Sequence, residues 1–137
     1  MNYQVRFFRL EEFACPCCGR VMVAAGLVFL LDVFRASLGR RLVVTSGYRC
    51  PKHNAEVHGA ESSRHLVGCA ADLRPVAGMS YADFSAAIGG VFAWPECEVK
   101  TYPAEKHVHV AIPRNVAGIT WSGGDLHVCP ASPYFRS

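Results

Sequence analysis

The apolar positions along the chain change period several times, and each change marks an element. From Val21 to Leu38, residues Leu27, Leu30, Leu31, Phe34 and Leu38 recur at spacings of three and four, the repeat that gives a helix one apolar face. This predicts the main helix, with Gly39 just past its end, where a left-handed residue closes a helix. Arg41-Leu42-Val43-Val44-Thr45 is rich in β-branched residues and predicts a strand. Ser46 to Arg49 turns out of it, and Pro51 suits the first turn of a short helix from Pro51 to Val57. A polar loop from His58 to Ser63 leads on to Ala70–Leu73, a strand stopped by Pro75. Ser80 with Asp83 three residues on has the form of a capping box, and the helix it opens is expected to end near Ile88, before Gly89-Gly90. Glu98–Tyr102 and His107–Ile112 read as two strands around a Pro103-Ala104-Glu105-Lys106 turn. Phe7 to Phe13 is a short lead-in, extended or a single turn, and Cys15-Pro16-Cys17-Cys18-Gly19 is a turn. From Pro113 onward there is little periodicity. Helices and hairpin strands are mixed, so the expected class is α+β, a small antiparallel sheet packed with helices.

Composition narrows the picture. With 137 residues, 51% of them hydrophobic and 18% charged, the chain is expected to form one globular domain over residues 1–137, with a core that needs no disulfide staples. The net charge of +3 is mild and no Lys/Arg cluster is long enough to suggest nucleic acid. No apolar run stands near the start, so a signal peptide is not expected. The apolar segment from Val21 to Phe34 contains Asp32 and is too short to cross a bilayer. The expectation is a monomer made in a cytoplasm, with no membrane partner. A substrate outside the cell would require some other agent to deliver the protein. Seven cysteines, an odd number, argue against a complete disulfide framework. The cluster Cys15, Cys17 and Cys18 stands apart. It reads either as reduced thiols in a tight turn or as a second metal site shared with Cys50 or another partner.

The chemistry gathers at His65, Asp72 and the pair His107 and His109. Residues two apart on a strand share a face, so His107 and His109 point one way while Val108 and Val110 point into the core. Asp72 lies in the run Ala-Ala-Asp-Leu, where a buried carboxylate must find a partner or a metal. Gly68 lets the backbone pass close to the site. Two imidazole nitrogens and one carboxylate oxygen suffice for a zinc site with one open position. Spacing alone leaves that site and ordinary structural histidines both open.

Ser63-x-His65-x-x-Gly68-x-Ala70-x-Asp72 resembles the S-x-H-x-x-G-x-A-x-D signature of the M15 family of zinc D-Ala-D-Ala carboxypeptidases and related phage endolysins. Ser46-Gly47-Tyr48-Arg49-Cys50-Pro51-x-x-Asn54 resembles the S-G-Y-R-x-P-x-x-N stretch of the same family, and Phe8-x-Leu10-x-Glu12-Phe13-x-Cys15 the opening of its phage-type members. His107-Val108-His109 stands where the family places its last ligand, and the hedgehog signalling domains, which share the fold, also carry an H-x-H strand. The likeness runs from about Phe8 to Ile112.

The resemblance implies His65, Asp72 and His109 as zinc ligands, with water in the fourth position. It implies Arg49 as the group that stabilises the oxyanion or grips a substrate carboxylate. Ser63 would hydrogen-bond substrate and His107 would stabilise the tetrahedral intermediate. The family's general base is an acidic residue or a histidine shortly before the last ligand. Glu105 is the first candidate here, with Glu98 and His107 behind it. Many phage-type members have an Asp where this chain has Ala111, and His58 replaces a usual Gly. His53 and His127 read as surface histidines. The implied activity is zinc-dependent hydrolysis of D-amino-acid-containing bonds in peptidoglycan stem peptides. A phage or prophage source is implied, with release through a holin or as part of a virion. The alternatives are a zinc-binding module of the same fold without catalysis and a structural phage component. An acid within reach of the open zinc position separates enzyme from binder.

Overall fold

A computed structural model describes residues 2–127 of the chain. Cys129, and the side chain of His127, lie outside what it describes. The elements follow in the order β1 (Asn2–Tyr3), α1 (Ala25–Leu38), β2 (Val43–Ser46), α2 (Pro51–Glu56), β3 (Ala70–Arg74), α3 (Tyr81–Val91), β4 (Glu98–Tyr102), β5 (His107–Ala111) and β6 (Leu126–His127). Short 3-10 turns stand at Leu10–Phe13, Arg64–Val67 and Arg114–Val116. Strands β2, β3, β5 and β4 form, in that order, one antiparallel sheet, and β1 pairs with β6 as a separate ribbon. The class is α+β, as the mixed periodicities predict.

The pleat sorts residues onto two faces. Ala71, Leu73, Val108 and Val110 are buried in one core cluster with Leu27, Leu31 and Phe34 of α1 and Phe84 and Ile88 of α3. Phe34 meets Phe84 edge to face at 5.8 Å and joins the two helices. Register places Asp72 opposite His109, His109 opposite Lys100, and Ala111 opposite Glu98. These residues therefore share the other face, which opens on a cleft.

The main helix starts at Ala25, not at Val21. Val23 and Ala24 are buried as extended chain, because their backbone groups have better partners there than in a helix. Ala24 N–H donates to Gly68 O at 2.9 Å, Ala25 N–H to Ile119 O at 2.8 Å, and Trp121 N–H to Val23 O at 2.9 Å. The first two also satisfy helix-start donors for which Ala24 supplies no side-chain cap. Gly68 stands at φ 74°, and a Cβ there would collide with the Met22 carbonyl. The stretch after Pro113, aperiodic in sequence, thus packs on the core, with Trp121 set edge-on to Phe13 at 6.4 Å. At the far end of α1, Gly39 is left-handed as expected, with φ 62°.

Helix α3 runs through Gly89-Gly90 to Val91 instead of ending near Ile88. Phe92 N–H still bonds to Ile88 O at 3.1 Å, and the Phe92 side chain is buried. Burying an aromatic ring outweighs a glycine's helix penalty of about 1 kcal/mol. Helix α2 and the four strands of the main sheet fall within two residues of their expected bounds, whereas the periodicity does not predict the β1–β6 ribbon.

Asp32, which reads in the sequence only as a charge in an apolar helix, is wholly buried. Tyr3 Oη donates to it at 2.7 Å, Phe7 N–H at 2.9 Å and Arg6 N–H at 3.2 Å. It ties the N-terminal segment to α1. Burial, and then the bond to Asp32, push the Tyr3 phenol above its ordinary pKa. Among the described residues no helix is long and apolar enough to cross a membrane. Asp32→Ala strands those donors, so the folded state should lose about 3 kcal/mol. A denaturant titration will show this as a lower midpoint, with metal content unchanged.

Candidate metal centre

His65, Asp72 and His109 reach the cleft from three different elements. Asp72 lies on β3 and His109 opposite it on β5. His65 stands in the 3-10 turn Arg64–Val67, where Ser63 Oγ caps the turn by accepting His65 N–H at 3.2 Å. The small residues Ala70 and Ala71 let β3 run close to its neighbours, and both are buried.

The ring of His65 is almost fully buried, and its Nδ1 lies 2.7 Å from Gly47 O. A carbonyl only accepts, so Nδ1 carries the proton and Nε2 keeps a bare lone pair. That Nε2 is buried and has no hydrogen-bond partner. It sits 3.3 Å from Asp72 Oδ1, and His109 Nδ1 sits 3.0 Å from the same oxygen. One donor atom from each of the three residues lies within 4.8 Å of the other two. A buried imidazole nitrogen with no partner is costly. Two imidazoles and a carboxylate suit a zinc-type ion. The residues present therefore fit such an ion.

Burial works against charge on Asp72, but the hydrogen bond from His109 outweighs it and holds the carboxyl well below the usual carboxylate range. Arg49 adds a third contact, Nη2 to Oδ2 at 3.1 Å. Arg49 is itself held, by Nε to Ser46 Oγ at 3.1 Å and Nη1 to Asn54 Oδ1 at 3.4 Å. Asn54 is buried and donates to Ala60 O at 2.9 Å. The three contacts of the guanidinium leave two of its five N–H donors for something else.

The cleft has a volume of about 870 Å³ and is lined by Arg49, Ser63, Glu98, His107 and His109 among others, with Arg64, Lys100 and Arg114 adding positive charge. His107 stacks on Tyr102 with ring centroids 4.6 Å apart. Tyr81 Oη donates to His107 O at 2.7 Å and accepts Tyr102 N–H at 2.8 Å, locking that end of the hairpin. His58 lines the cleft with φ 58°, a backbone conformation that explains the glycine usual there in the M15 pattern. His53 is half-buried, not a surface residue.

The structure does not bring Glu105 to the site. It is an exposed residue of the turn between β4 and β5 and is not among those lining the cleft. Proximity in sequence to His109 misleads because the turn lies at the end of the hairpin. Glu98 is the acid that arrives, with Oε1 3.4 Å from His109 Nε2. It stands directly across from Ala111, the position where phage-type M15 members have Asp. The carboxylate missing from β5 is thus matched by one on β4. A signal for this exists in the sequence. A four-residue turn pairs Tyr102 with His107, and counting back along both strands pairs Glu98 with Ala111.

Two histidines and one carboxylate on the open face of an antiparallel sheet form a donor set that mononuclear metal enzymes use. A family model described as Peptidase M15 matches residues 7–111. The chain belongs to this family of metallopeptidases. No curated protein matches the chain. His65→Ala should bind one equivalent of divalent metal fewer than the wild-type protein by elemental mass spectrometry, while its far-ultraviolet circular dichroism stays unchanged.

Proposed function

We propose that the chain, as a single domain over residues 1–137 and as a monomer, is a zinc peptidase that cuts D-amino-acid-containing bonds of peptidoglycan stem peptides. The observation that carries this reading is the convergence of His65 Nε2, His109 Nδ1 and Asp72 on one point, with Glu98 alongside. When bound there, zinc supplies Lewis-acid polarisation of the scissile carbonyl and activation of the attacking water. The same donor set also serves Fe(II) oxygenases, and the metallopeptidase family favours zinc.

The chain's own residues do the rest. Glu98 takes a proton from the attacking water and returns it to the leaving amine. It lines the same cleft, and its contact with His109 Nε2, the ring nitrogen turned away from the metal, holds the two side chains together. Arg49, immobilised by three contacts, offers its remaining donors to the charge that develops on the carbonyl oxygen or to a substrate carboxylate. Ser63 keeps a hydroxyl proton to donate to substrate, since its oxygen accepts from His65. His107, held flat on Tyr102, stabilises the tetrahedral intermediate. Arg64, Lys100 and Arg114 make the cleft attractive to the carboxylates of a stem peptide. The resemblance to phage endolysins supports a phage or prophage source, with a holin or virion delivering the protein to the wall.

A second reading is a metal-bound module that holds wall peptides without cutting them, and Ala111 favours it. The position of Glu98 favours the enzyme. Incubating the zinc-loaded protein with purified peptidoglycan fragments and weighing the products decides between them and identifies the bond cut. Glu98→Gln should lower kcat by about 100-fold or more with metal retained, whereas Glu105→Gln should stay within about twofold, as for a solvated surface position. Arg49→Ala should lower turnover with full metal content. Absence of any product from the wild-type protein would leave the binding module.

A further inference from the structure

A second cluster of metal-binding side chains lies outside the cleft and takes no part in the proposed chemistry. Cys15 and Cys50 are 35 positions apart in sequence, both buried, with sulfurs 3.7 Å apart. Cys18 completes a group whose three sulfurs all lie within 4.8 Å of one another. The turn that presents Cys15 and Cys18 is closed by its own backbone. Cys15 N–H donates to Arg20 O at 2.8 Å and Gly19 N–H to Cys15 O at 2.8 Å. Backbone donors also point at sulfur, with Cys50 N–H on Cys15 Sγ at 3.5 Å and His53 N–H on Cys50 Sγ at 3.4 Å. Burial opposes a thiolate at Cys15, but the N–H groups of Cys50, Cys18 and Cys17 outweigh it and bring the thiol down to about 7.

Three thiols gathered with N–H donors around them form a soft donor set, suited to zinc and not to magnesium or calcium. The sulfurs come from a Cys-x-x-Cys turn and from the residue that opens α2. We propose that Cys15, Cys18 and Cys50 bind a second, structural zinc ion, with His53 as its fourth ligand. His53 follows Cys50 by three residues in the first turn of α2, so the two share a helix face. Its Nδ1 is 3.8 Å from Glu56 Oε1, too long for a bond that would oppose a rotation of the ring. Cys17, in the same turn, touches Cys50 with its thiol but is not in the group of sulfurs that all lie within 4.8 Å of one another.

The ion would act on the cleft through the chain. Cys50 adjoins Arg49, the residue that bonds Asp72. Tyr48 N–H donates to Phe13 O at 2.8 Å, and a Cβ on Gly47 would strike the Phe13 backbone. The zinc would staple the segment Phe13–Cys18 to the bend that carries Arg49, making Cys15, Cys18, Cys50 and His53 positioning residues. This inference does not rest on the peptidase reading.

The test loads the full chain with zinc or with cobalt(II) alone. Wild-type protein should hold two equivalents of zinc by elemental mass spectrometry. Cys18→Ser, a change at an exposed position, should hold one, with unchanged circular dichroism. The cobalt form of the wild type should show an intense sulfur-to-cobalt charge-transfer band that survives in His65→Ala and vanishes in Cys18→Ser. His53→Ala should weaken this band and its zinc affinity by at least about tenfold, within the loss seen when a metal site's supporting groups are removed, and Cys17→Ser should leave both unchanged. A wild-type protein with one equivalent and no sulfur-to-cobalt band would overturn the proposal. So would a purified protein whose mass shows Cys15 and Cys50 joined as a disulfide with no thiol-bound metal. A band sensitive to Cys17→Ser but not to His53→Ala would overturn the fourth ligand.

Discussion

Asp72 stands on the central pair of strands with its carboxylate nearly out of water, and a charge in that position is tolerated only with partners. Arg49, His65 and His109 surround it at 3.1, 3.3 and 3.0 Å, Arg49 and His109 as hydrogen-bond partners and His65 through a lone pair that a metal ion would bridge to it. Each comes from a different part of the chain: the bend after β2, the 3-10 turn before β3, and β5 itself. Satisfying one buried charge therefore constrains the register of β3 on β5, the depth of the turn that carries His65, and the path from β2 into α2. Removing one partner would leave the others facing an uncompensated charge. The apolar face behind the same strands, with Val108 and Val110 fully buried against α1 and α3, supplies the free energy that keeps these costly groups together.

The arrangement divides labour between rigid and adaptable parts. The proposed ligand side chains sit on paired strands and on a capped turn, and Arg49 is held at three of its nitrogens. The acid is less constrained. Glu98 lies at the edge of the sheet, shares its carboxylate loosely with Arg64 at 3.8 Å and Lys100 at 3.9 Å, and faces His109. As the proposed base, which must gain and lose a proton, Glu98 would benefit from such partial exposure. Substituting Ala for Asp on β5 removes one carboxylate from the site, and the glutamate across the strand pair restores the charge count without altering the ligand set.

Much of this was legible before any coordinates. The spacing from His65 to Asp72 and the alternation at His107 and His109 marked these residues as candidates, because local periodicity decides which face a strand residue takes, and the resemblance to the M15 pattern selected His65, Asp72 and His109 among them. The four sheet strands were readable for the same reason. What escaped depended on distant partners. Val21 to Ala24 has helical composition, yet it is extended because the carbonyl of Gly68 and the N–H of Trp121 claim its backbone. Gly89-Gly90 failed to stop α3 because Phe92 is buried beyond it. Asp32 gave no hint that it anchors the N-terminus, since its donors lie more than twenty residues away. Glu105 was favoured over Glu98 by closeness in sequence, whereas register across a hairpin decides closeness in space. Cys15, Cys18 and Cys50 were recognisable as a group, and only the fold shows that their sulfurs meet.

The central claim is that His65, Asp72 and His109 surround one metal ion with Glu98 at its open side. Anomalous diffraction at the zinc edge from crystals of the zinc-loaded protein tests this most directly. The account predicts a peak about 2.0–2.2 Å from His65 Nε2, His109 Nδ1 and an Asp72 oxygen, with the Glu98 carboxylate within hydrogen-bond reach of a water on the fourth side. A loaded crystal with no anomalous peak among these three side chains, or with Glu98 turned away and Glu105 folded over the ion, would contradict it.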